Sequence, residues 1–135
     1  QTTVSKPIIF EGIGLHKGLS SKLVVLPAGV GSGICFKRTD IESGNKFIPA
    51  ILGNVVSSEL CTRVANLDGV SVSTIEHLMA ALAGCGINNA LIEINGPEVP
   101  ILDGSALSFV KEILKTGIKL QKQSLKAVRI IKTVQ

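Results

Sequence analysis

Tryptophan and tyrosine are absent and phenylalanine occurs only four times in the 135 residues, which leaves almost no aromatic surface on which nucleic-acid bases could stack. The 14 lysines and arginines are scattered, so a formal charge of +4 is no evidence for a nucleic-acid partner. No apolar stretch approaches the roughly 18 residues needed to cross a bilayer, and the start, QTTVSKPIIFEG, lacks a basic segment leading into an apolar one. The expectation is a soluble chain with no transmembrane segment. Cys35, Cys61 and Cys85 are odd in number, far apart and without a CxxC pair. That argues against both a disulfide framework and a thiolate zinc site, and fits a reducing, cytoplasmic compartment. Charge is scarce as well, at 18% against a usual figure of about 25%. Part of the surface is therefore expected to face a partner rather than water.

What is present is a hydrophobic content of 45% and a mean hydropathy of +0.44, which excludes disorder and suits a single domain with a real core. The first half is punctuated by turn formers around short β-rich runs: Lys22 to Leu26, Ile34 to Arg38, Phe47 to Leu52, Thr62 to Asn66 and Val70 to Val72. Asp68-Gly69 between the last two is a hairpin signal, and Asn89 to Ile94 reads as a buried strand. Ile75, Leu78, Met79 and Leu82 mark a helix from about Thr74 to Ala83. Ser73 and Glu76 have the spacing of a capping box at its start, with Gly84 or Gly86 as its stop. A second helix follows Asp103-Gly104-Ser105, shows Leu107, Val110 and Leu114 on one face, and ends at Gly117. Asp103 is expected to organise that turn and cap the helix, and Met79 and Phe109 to belong to the core. The fold class is α+β, a two-layer domain with a mixed sheet backed by two main helices.

The stretch from Lys119 to Lys126 is polar and linker-like, and Ala127 to Ile131 turns apolar again, as a strand would. Residues 1–126 are thus assigned to one α+β domain and 127–135 to the start of a second.

On a helical wheel His77 points away from the apolar stripe of the first helix, together with Ala80, Ala81 and Gly84. This face carries no charge, so the helix is expected to be buried on both sides. A histidine there, directly after a glutamate, suits a zinc site in which imidazole holds the metal and the carboxylate takes a proton from water. The pair lacks HExxH spacing, Glu76 also has the capping-box reading, and a lone histidine is commonly a satisfied polar residue. Only His16 and His77 are available as imidazoles, whereas a catalytic zinc takes three protein ligands. Asp103 or Cys61 could contribute, but the missing ligands are more economically placed beyond Gln135.

Four blocks carry a resemblance: Glu11-Gly12-Ile13-Gly14-Leu15-His16; Leu60-Cys61-Thr62; Ser73-Thr74-Ile75-Glu76-His77-Leu78 with Ala80-Ala81-Leu82; and Pro97-Glu98-Val99-Pro100-Ile101-Leu102-Asp103-Gly104-Ser105. In this order the chain resembles the N-terminal domain of the UDP-3-O-acyl-N-acetylglucosamine deacetylases, zinc amidases that commit bacteria to lipid A synthesis. The resemblance implies a fold normally paired with a similar second domain of the same chain, with the active site between the two helical layers. It further implies that Glu76 is the general base and His77 one of three zinc ligands, the other His and Asp coming from an HxxxD helix of the second domain. Water activated by Zn2+ would attack the acetamide of the UDP-linked acylated N-acetylglucosamine and release acetate. Leu60 and Cys61 would lie beside the substrate, with simple burial as the other reading of Cys61. His16 is a possible cleft residue or a structural part of its glycine-rich turn. Residues 1–135 alone are expected to be inactive. The competing reading is a free-standing interaction domain that keeps the fold without catalysis.

Overall fold

The computed structural model describes residues 1–57, 59–127 and 129–132. Its ten strands, in chain order, are β1 (Thr2–Val4), β2 (Ile8–Ile13), β3 (Ser20–Pro27), β4 (Ile34–Arg38), β5 (Phe47–Pro49), β6 (Val55–Ser57), β7 (Arg63–Ala65), β8 (Ser71–Val72), β9 (Ala90–Ile94) and β10 (Ile118–Leu120). Helix α1 spans Glu76–Gly84 and α2 spans Leu107–Thr116. The main sheet has the order β2-β3-β9-β4-β5 and is mixed, since β4 runs parallel to β9 while the other neighbours are antiparallel.

Alternation within the strands builds the core. Register places Ile8, Val25, Ile92, Phe36 and Ile48 in one row across the sheet, with Phe10, Leu23 and Ile94 in a second. All eight are buried, and against them pack Leu78, Ala81 and Leu82 of α1 and Phe109 and Ile113 of α2. A sheet that is apolar on one face must cover that face, and the two helices do so. A second sheet, β6-β7-β8, leads into α1, and β1 pairs with β10 to close the chain's two ends together.

The ends of α1 differ from expectation at one terminus only. Gly86, at φ +70°, stops the helix: its N–H reaches the Ala83 carbonyl at 3.0 Å and the N–H of Ile87 reaches Leu82 at 2.8 Å. Those are the paired bonds of a Schellman motif, and Ile87 is buried, as the residue after its glycine often is. The capping box at the other end does not form. Ile75 is the N-cap residue and carries no side-chain cap, while Ser73 bridges to Glu98 in an isolated parallel pairing and its hydroxyl donates to the Pro97 carbonyl. The cause lies at Thr74, whose φ of +58° turns the backbone between Ser73 and the helix.

Other expectations are corrected as well. Phe47 to Leu52 is strand only to Pro49, after which Leu52–Asn54 forms a 3-10 turn. The buried face of α2 is Phe109 and Ile113 with Ala106 and Val110 alongside, whereas Leu107 and Leu114 are exposed. Ile118 to Leu120 is strand where a linker was expected to begin. The described residues of 127–131, where a second domain was expected to start, are exposed. Val128 lies outside the described residues. Asp103 does organise its turn, accepting the Ser105 N–H at 3.1 Å, but Ser105 Oγ, not Asp103, accepts the N–H of Leu107.

Candidate functional site

Alternate residues of the segment 61–64, which leads into β7, line two different cavities. Cys61 and Arg63 line one cavity of about 300 Å³, together with His16, Lys17, Leu60 and Ser73. Thr62 and Val64 line a second of about 320 Å³, with Ile51, Leu52, Glu76 and Met79. The structure therefore brings His16, Leu60 and Cys61 together, and sets Glu76 across the same segment from them. Leu60 is 85% exposed, so its side chain is free to meet another molecule, and Cys61 is half-buried.

Glu76 and His77 occupy the first turn of α1. The Glu76 carboxylate is anchored at one oxygen, Oε2, which accepts the Thr62 N–H at 3.0 Å. His77 is half-buried on a helix face on which Ala80 and Gly84 are exposed. The expectation that this face is covered is not met within the chain, and Ala81, which the wheel placed there, is fully buried in the core. Among the described residues no three His, Cys, Asp or Glu side chains cluster so as to hold a metal ion.

His16 sits at the cavity by virtue of a residue that the sequence did not single out. Glu98 is 2% exposed, yet it is a carboxylate. Its Oε1 accepts the His16 N–H at 2.9 Å and the Thr74 hydroxyl at 2.9 Å, and its Oε2 accepts the Lys17 N–H at 3.0 Å. Burial pushes this carboxyl up, but the His16 and Lys17 N–H groups, the Thr74 hydroxyl and the His16 imidazole together pull it below the usual carboxylate range. A glutamate between two prolines has no periodicity or spacing that would reveal such a role.

A pH dependence follows. Because the folded carboxyl titrates below its unfolded value of about 4.3, its contribution to stability is complete above that value and is lost as pH falls through the folded pKa. Urea midpoints measured across the acid range should therefore drop for the natural protein, and Glu98→Gln should flatten that part of the slope. An unchanged slope would mean that Glu98 does not titrate as described.

A family model described as UDP-3-O-acyl N-acetylglycosamine deacetylase matches residues 1–135. The chain belongs to this family. It is 47% identical over 135 residues to the UDP-3-O-acyl-N-acetylglucosamine deacetylase of Shewanella frigidimarina, covering 100% of this chain and 44% of that protein. The protein of the same name from Syntrophotalea carbinolica is 48% identical over 134 residues, 99% of this chain and 43% of the relative. The chain thus spans less than half the length of these curated relatives. Membership agrees with the α+β architecture and its mixed sheet. Among the described residues no helix is long and apolar enough to cross a membrane.

Proposed function

We propose that residues 1–135 form the first domain of a deacetylase that hydrolyses the acetamide of UDP-3-O-(3-hydroxyacyl)-N-acetylglucosamine, releases acetate, and so commits its product to lipid A synthesis in the cytoplasm. The observation that carries this reading is the placement of Glu76 and His77. They stand together at the start of α1, where Ala80 and Gly84 leave the helix face of His77 open, in a chain that matches the family from end to end.

A catalytic zinc takes three protein donors, and the described residues bring no such set together. His77 offers one imidazole of the right chemistry. The remaining His and Asp are assigned to a second domain, of which 127–135 would be the beginning. When bound, zinc supplies Lewis acidity to water and to the substrate carbonyl. The chain's own contribution is proton handling and shape. Glu76, held at Oε2 by Thr62, has Oε1 free of hydrogen bonds among the described residues and can accept a proton there. Leu60 and Cys61 would line the substrate's path from the neighbouring cavity, with His16 at its edge.

The exposed small-residue face also favours the second reading, a docking module without chemistry. One experiment separates them. The purified 1–135 chain is expected to show no turnover, and the full-length protein to hold about one zinc per chain and to lose both metal and turnover on His77→Ala. Full metal content and activity in His77→Ala would overturn the ligand assignment. Turnover by residues 1–135 alone would overturn the need for a second domain.

A further inference from the structure

Thr74 is a β-branched residue at φ +58°, a conformation that costs energy and persists only where the surroundings impose it. Here the surroundings converge on one short segment. The Ser73 N–H donates to the Pro97 carbonyl at 2.9 Å, the Val99 N–H donates to the Ser73 carbonyl at 3.1 Å, and the Thr74 hydroxyl donates to Glu98 at 2.9 Å. Two residues further on, the chain reaches Glu76 and His77. The left-handed step at Thr74 is what replaces the expected capping box, so it sets the direction in which α1 leaves β8.

The same carboxylate holds the opposite wall. Its two oxygens take the N–H groups of His16 and Lys17, and the backbone of that loop passes so close that a Cβ on Gly14 would lie 2.5 Å from Oε2. A buried glutamate with three donors and a glycine cut to its shape is a fixed part, not a solvated side chain that happens to fold inward.

We infer that Glu98 is a positioning residue for the Glu76-His77 pair, acting through Thr74, and that it locks the start of α1 and the His16-Lys17 loop into one unit. This rests on the proposed function, which gives the pair its chemistry. Glutamine at position 98 would keep one acceptor but turn an NH2 group toward the N–H of Lys17, a donor facing a donor. Valine at position 74 keeps the shape of threonine and removes the hydroxyl, while serine keeps the hydroxyl.

The test uses the full-length protein with its metal, measuring kcat, KM and Tm for Thr74→Val, Thr74→Ser, Glu98→Gln, the Thr74→Val/Glu98→Gln double variant and Glu76→Gln. Thr74→Val is expected to lower kcat by about 10- to 100-fold with KM unchanged, since small displacements of catalytic groups act on the rate. Thr74→Ser should recover most of it. Glu98→Gln should lower kcat similarly and raise KM as well, because it also frees the cavity wall. In the double variant the kcat losses should not multiply, as one network is broken twice. A fall in Tm with kcat per folded molecule unchanged in both single variants would overturn the inference, and Thr74→Val decides the matter should Glu98→Gln not fold. Loss of turnover in Glu76→Gln alongside normal kcat in the other two would sink the positioning role and leave the proposed function standing. Full turnover in Glu76→Gln would remove both.

Discussion

Glu76→Gln in the full-length protein is expected to reduce turnover by about 10²- to 10⁴-fold, the usual contribution of a positioned general base, while leaving the fold intact. The structural half of this expectation comes from Thr62. Its N–H donates to Glu76 Oε2 at 3.0 Å, and a glutamine amide oxygen can accept the same bond in the same place. No capping role is lost, because the capping box is not formed and Ile75 is the N-cap without a side-chain partner. What is removed is the carboxylate's charge and, with it, the ability of the second oxygen to take a proton. Steady-state kinetics and a melting curve on one preparation check both halves. Turnover at the natural rate would remove Glu76 from the chemistry, and a collapsed melting temperature would show that its bond to Thr62 matters more to the fold than this geometry implies.

The parts of the fold legible in the sequence are those fixed by local periodicity. Ile34–Arg38 and Ala90–Ile94 emerge almost residue for residue because each is a short β-prone run, the first starting after Gly33 and the second set between Asn89 and Asn95, and the two are neighbours inside the sheet. The Schellman stop at Gly86 is legible for the same reason, since its glycine, left-handed turn and buried Ile87 are sequence neighbours. What escaped was decided over distance. Thr2–Val4 and Ile118–Leu120 are strands only because they pair with each other, and neither has enough alternation to announce itself. The capping box had the correct spacing but lost to Glu98 and Pro97, which pull Ser73 and Thr74 into a bridge and a left-handed turn. The candidate site divides in the same way. Glu76 and His77 stand out as an adjacent pair on an uncharged face, but Glu98 becomes visible only when His16, Lys17 and Thr74 are seen around it.

Helix α2 offers the sharpest case of two competing apolar stripes, and it can be decided by mutation. The sequence permits Leu107, Val110 and Leu114 as the buried face, and equally Ala106, Phe109, Val110 and Ile113, which keep a spacing of i, i+3, i+4 and i+7. The second set wins because Phe109 meets Phe10 on the sheet, with ring centroids 4.9 Å apart and planes tilted by 59°. That contact adds the attraction of a tilted aromatic pair to burial. Phe109→Ala should therefore destabilise the domain by about 3–5 kcal/mol, enough to remove a large part of the stability of a typical domain. Leu114→Ala, at a side chain 59% exposed, should cost no more than about 0.5 kcal/mol. Urea unfolding of the 135-residue chain compares the two directly. A loss at Leu114 equal to that at Phe109 would mean that α2 packs through its other face, and the placement of α1 against it would have to be redrawn with it.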